Sequence, residues 1–144
     1  MRKPNIHGGG SKTNLNGLTF EGRTDFIESL KNNKDFKVDT ENSFLSEIIY
    51  KGQSFGFYTE KHDFYKFLNS KSVDWEKLVS KKYLPDGVFI NTVNNKIYII
   101  EKKFQSGGGS VDEKLQTCDF KKKIYEQLTA ELNEFNSVEY YYLL

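Results

Sequence analysis

The chain has 144 residues, a length that suits one domain around one core. Its formal net charge of +1 excludes a global attraction to polyanions, so such a partner must meet a local patch. Cys118 is the only cysteine, which excludes an internal disulfide and suits a reducing compartment; with no signal-peptide pattern and no bilayer-length apolar run, a soluble cytoplasmic protein without a membrane partner is expected.

In chain order, residues 1–13 are Gly-rich and basic without periodicity, and read as a flexible arm on a single domain spanning 1–144. A helix is expected to start at Asn14 or Asn16, to carry Leu18, Phe26, Ile27 and Leu30 inward, and to end at Asn32-Asn33. The runs 44–52 and 53–60 meet at Lys51-Gly52 and predict a hairpin. Residues 62–70 place Phe64, Phe67 and Leu68 at helical spacing, and Val73–Lys82 is a second short amphipathic piece. Asp86–Val93 and Lys96–Phe104 are β-rich around Asn94-Asn95, a good two-residue turn. After Ser106–Ser110, a helix is expected from Ser110 or Asp112 to about Asn133, with Leu115, Ile124, Leu128 and Leu132 inward. The final run Val138–Leu144 reads as a strand whose tyrosines pack in the core. The order α, β, β, α, β, β, α, β predicts an α/β or α+β fold, a central mixed β-sheet flanked by helices.

The chemistry concentrates at the central hairpin. Pro85-Asp86 opens it, and Glu101-Lys102-Lys103 closes it. Side chains alternate along a strand, so Glu101 and Lys103 share a face with Ile97 and Ile99, while Lys102 points the other way. A two-residue turn sets Asp86 across from Lys103 and Val88 across from Glu101. Asp86 is then diagonal to Glu101, about 7–8 Å away and within reach of one shared divalent ion. An odd-numbered loop would put Asp86 on the opposite face. Phosphodiester hydrolysis places charge on the phosphate oxygens, and a Mg²⁺ held by carboxylates neutralises it and positions a hydroxide. Asp86 and Glu101 are hard oxygen ligands, and the Lys102 backbone carbonyl is a candidate third. Lys103 would bind the scissile phosphate, or orient and deprotonate the attacking water. The alternative is a solvated strand end, because glutamate and lysine are abundant and Pro-Asp is a common turn.

Other features carry weaker signals. Gly8-Gly9-Gly10-Ser11-Lys12 lacks the spacing of a nucleotide-binding loop; an arm contacting a DNA backbone through Lys12 and Asn14 fits it better. Lys121-Lys122-Lys123 cannot all face one side of a helix, and Lys121 is either part of a solvated surface or a phosphate contact. Gln116 lies early in the same helix as a candidate contact near the site. His7 and His62 have no second ligand at metal spacing, and Cys118 has no nucleophile motif around it.

Pro85-Asp86, the apolar strand and Glu101-Lys102-Lys103 together resemble the PD-(D/E)xK nuclease superfamily, whose members share a mixed sheet flanked by helices in an αβββαβ core. The stretch Gly8–Phe26 resembles the Gly/Asn-rich opening of type II restriction endonucleases, in which a helix carries a glutamate near the metal; Glu21 matches it. Lys102–Leu128 resembles their crossover from strand to helix. The resemblance implies a restriction-endonuclease-like core, a Mg²⁺ cofactor, Asp86 and Glu101 as metal ligands, Lys103 as the catalytic lysine and Glu21 as an assisting group. It also implies double-stranded DNA as substrate and a homodimer that cuts both strands. The chain is shorter than such enzymes usually are, as expected of a minimal or truncated member. A structure-selective repair or recombination nuclease and a non-catalytic DNA-binding module are the other two readings.

Overall fold

A computed structural model describes residues 26–40, 44–102 and 118–143. The expected arm, the helix start near Asn14, Glu21, Lys103, the stretch Ser106–Ser110 and Gln116 all lie outside the described residues. The architecture is mixed α/β. One six-stranded sheet carries helices on both faces, with strand order β1-β2-β3-β4-β5-β6.

Helix α1, Phe26–Lys31, presents Phe26, Ile27 and Leu30 to the sheet. It ends where expected: the Asn33 Oδ1 accepts the Asp35 N–H at 3.0 Å and turns the chain into β1, Phe36–Asp39. The sequence pattern does not predict this strand. Four residues with two charges give too short a pattern to recognise, and such a strand suits a sheet edge. Strands β2 (Ser46–Tyr50) and β3 (Gln53–Thr59) form the expected hairpin. Its turn residues Lys51 and Gly52 both have positive φ, +47° and +80°, as a tight two-residue turn requires.

Helix α2, Lys61–Ser70, and the short α3, Trp75–Leu78, cover one face of the sheet. Strands β4 (Gly87–Asn91) and β5 (Lys96–Lys102) follow. Every residue of β4 is buried, whereas β5 alternates, with Ile97, Ile99 and Glu101 inward. Helix α4, Cys118–Thr129, leads to β6, Ser137–Leu143. All neighbouring strands are antiparallel except β5 and β6, which are parallel. A parallel pair needs a crossover, and α4 lies on it.

The main core forms where Val88, Ile90, Ile97, Ile99 and Val138 meet Phe64, Tyr65 and Leu68 of α2 and Tyr125 and Leu128 of α4. On the other face, one aromatic side chain from each strand forms a ladder across the sheet: Phe36, Tyr50, Phe55, Phe89, Tyr98 and Tyr141, with successive ring centroids 4.8–6.3 Å apart.

One expectation is corrected. The β4–β5 loop has four residues, Thr92–Asn95, in place of a two-residue turn at Asn94-Asn95. The cause is a side chain: the Asn91 Oδ1 accepts the N–H groups of Val93 and Asn94, at 2.9 and 3.1 Å, and holds a wider turn. Val88 therefore faces Ile99 instead of Glu101.

Candidate functional site

The four-residue loop moves the pairing by two residues. Gly87 pairs with Ile100, so continuing the register by one residue sets Asp86 opposite Glu101 rather than opposite Lys103. Directly opposed side chains have Cβ atoms about 4.5–5.5 Å apart, closer than the diagonal arrangement expected from the sequence. A two-residue shift keeps every side chain on its face, and the charges of both carboxylates act on the Tyr125 phenol.

Asp86 is fixed by the chain on both sides. Its Oδ2 accepts the Lys102 N–H at 2.9 Å. The preceding Pro85 is buried, and its carbonyl accepts the Lys61 N–H at 2.8 Å. Two residues earlier, the Tyr65 hydroxyl both donates to the Tyr83 carbonyl, at 2.8 Å, and accepts the Tyr83 N–H, at 2.7 Å. Burial pushes the Tyr65 phenol up to about 12, so it remains a donor at neutral pH.

Glu101 is 3% exposed, at the inward-facing end of β5. Tyr142 of β6 pairs beside it. Tyr125 of α4 lies within hydrogen-bonding reach, and its hydroxyl is also 3.4 Å from the Tyr83 carbonyl. Burial first, and then the Glu101 charge, raise the Tyr125 phenol well above its ordinary value. Burial and the same charge raise Tyr140. Tyr125 is therefore a neutral donor facing a carboxylate. The Lys121 Nζ is 3.9 Å from Glu101 Oε1. Its neighbour Lys122 instead meets Glu126 at the surface, also at 3.9 Å.

The site thus sets two of the sequence-predicted carboxylates about Tyr125 and brings in Lys121, expected at a solvated surface or a phosphate. Glu21, Lys103, Lys12, Asn14 and Gln116 lie outside the described residues. Tyr65, Tyr125 and Tyr140 were not foreseen as site residues. A sequence signal for the α4 groups does exist: Lys121, Tyr125, Leu128 and Leu132 follow a heptad-like stripe, which places the lysine on the inward face.

Two hard carboxylates suit a Mg²⁺, which is commonly bound through one or two carboxylates with water and substrate phosphate completing the shell. Among the described residues, no three His, Cys, Asp or Glu side chains cluster as a metal site. No helix among them is long and apolar enough to cross a membrane. The chain matches no family model, no curated protein and no solved structure.

Proposed function

We propose that this chain is a Mg²⁺-dependent DNA endonuclease of the PD-(D/E)xK type that acts on double-stranded DNA in the manner of a type II restriction enzyme. The observation that carries the proposal is the hydrogen bond from the Lys102 N–H to Asp86 Oδ2, one residue along the chain from the buried Glu101. Like charges directly opposed across a strand pair destabilise a sheet unless a cation compensates them. The element order adds support. Strands β3, β4 and β5 are antiparallel neighbours, followed by α4 and the parallel β6, with α1 upstream. Measured against the expected order αβββαβ, β1 and β2 are added and α2 and α3 are inserted.

Asp86, Glu101 and the Lys102 carbonyl would hold the metal. A strand residue presents its N–H and C=O to the same neighbour, so the Lys102–Asp86 bond also turns that carbonyl toward the Asp86 side. Bound there, the cation would neutralise charge on the phosphate and lower the pKa of a water. Asp86 keeps its Oδ1 for such an ion while Oδ2 is held by the backbone. Lys103, the next residue in sequence, serves the phosphate and the attacking water, and Glu21 assists. Lys12, Asn14 and Gln116 contact DNA. A homodimer places two such sites on the two strands.

The test is cleavage of a long unmethylated duplex with Mg²⁺, comparing the native chain with Asp86→Ala, Glu101→Gln and Lys103→Ala. Each variant is expected to lose on the order of 10²–10³-fold in rate. Discrete bands support a restriction-type enzyme, and a smear supports a structure-selective or nonspecific nuclease. Native protein that binds DNA without cutting it under any divalent metal would sink the proposal in favour of a binding module.

A further inference from the structure

We propose that Lys121 is a positioning residue of this site: its ammonium is a built-in counter-ion to Glu101 that a divalent cation must displace. The inference rests on Asp86 and Glu101 being a metal-binding pair. Three observations carry it. First, the Glu101 side chain is 4% exposed and that of Lys121 26%, so the contact is largely withdrawn from water. Second, the separation is 3.9 Å, beyond the 2.7–2.9 Å typical of a charge-assisted hydrogen bond. Lys121 therefore neutralises the carboxylate without clamping it. Third, the adjacent Lys122 has a surface partner in Glu126, both about half exposed, so α4 devotes one specific lysine to the interior.

A metal ligated by Glu101 brings two positive charges close to the Lys121 ammonium. The two cations repel each other at short range in a poorly screened environment. The carboxylate pair cannot satisfy both at full strength, so metal binding and the Lys121–Glu101 contact oppose each other. A lysine suits this role because its point charge sits on a flexible four-carbon stem and can swing away without unfolding the helix.

The experiment titrates Mn²⁺ alone, without DNA, into the native chain, Lys121→Met, Lys121→Arg and Asp86→Asn, following free Mn²⁺ by electron paramagnetic resonance. Mn²⁺ is a fair probe because carboxylate and water ligands suit Mg²⁺ and Mn²⁺ alike. Lys121→Met is expected to bind about 3–10-fold more tightly than the native chain, with Lys121→Arg near native. Asp86→Asn should lose binding. If the native chain binds Mn²⁺ through Asp86 but Lys121→Met binds equally or more weakly, the counter-ion role is wrong and the metal pair stands. If neither chain binds, or if Asp86→Asn changes nothing, the metal assignment fails and takes this inference with it.

A second readout is the melting temperature in EDTA and in Mn²⁺. Lys121→Met should melt lower than the native chain in EDTA and gain more from Mn²⁺, since the metal replaces the missing charge. Equal gains would overturn the inference. Lys121→Gln serves in both measurements if the methionine variant does not fold.

Discussion

Asp86 is held by backbone contacts rather than by a packed rotamer of its own. Its carboxylate takes the Lys102 N–H, and the loop behind it is fixed by Lys61 and Tyr65. Tyr65 has the sharper consequence, because its hydroxyl saturates both polar groups of Tyr83. Tyr65→Phe removes both bonds, leaves the Tyr83 N–H unpaired and its carbonyl with only the Tyr125 hydroxyl at 3.4 Å, which should cost about 1–3 kcal/mol by urea denaturation. Cleavage should fall as well, because the loop that carries Asp86 loses its anchor; unchanged stability would show that water replaces the hydroxyl at no cost. Gly87, the next residue after Asp86, has a different constraint. A Cβ there would lie 2.5 Å from the Tyr58 hydroxyl, with the ring carbons at 3.1 Å. Gly87→Ala must push Tyr58 out of its stack with Phe26, at a cost of about 1–3 kcal/mol. A melting temperature within a degree of native would show that Tyr58 moves freely.

At the scale of elements, the β4–β5 hairpin decides whether a site exists. Asn91 sets its loop by accepting two N–H groups, and the Asn94 Oδ1 accepts the Lys96 N–H at 3.1 Å. Asn91→Ala should cost about 1–2 kcal/mol and broaden the amide resonances of residues 92–95. The same hairpin shows what could be read in advance. Its two strands and the shared face of Asp86 and Glu101 were legible, because alternation of apolar side chains fixes parity. The loop length was not, because Asn94-Asn95 fits a two-residue turn as well as the end of a four-residue one. The upstream hairpin was easier: Gly52 at φ +80° admits few alternatives. Strand β1 escaped notice because Phe36 and Val38 alone cannot establish a period. The Lys121 contact with Glu101 is hard to read from sequence for a related reason. Three consecutive lysines look solvated, and only the spacing to Tyr125, Leu128 and Leu132 shows that one of them turns inward.

Over the whole molecule, tyrosines couple the core to alkaline pH. Tyr65, Tyr125 and Tyr140 all titrate above their ordinary value of 10, with burial as the largest cause. In the unfolded chain these phenols ionise near 10, so above that pH the unfolded state sheds protons that the folded state keeps. Their contribution is complete below pH 10. The Tyr65 share is lost between pH 10 and about 12, and the shares of Tyr125 and Tyr140 continue to fall beyond it. Denaturation midpoints should therefore drop steadily from pH 10 to 12. A flat profile would mean that these hydroxyls reach solvent.

The strand order also has a consequence in time. Five strands meet their sequence neighbours through antiparallel pairing, whereas β6 reaches β5 only through the crossover that carries α4. Local pairings cost less loop-closure entropy and tend to form early, so the hairpin that brings Asp86 to Glu101 is expected to close before α4 delivers Lys121. For that interval the two carboxylates lack the Lys121 ammonium. Refolding should therefore speed up as salt is added and in Glu101→Gln, and stopped-flow refolding without divalent ions reads both effects. The slow step in making this protein would then be electrostatic in origin: a sheet that closes on its own repulsion and waits for a helix to relieve it.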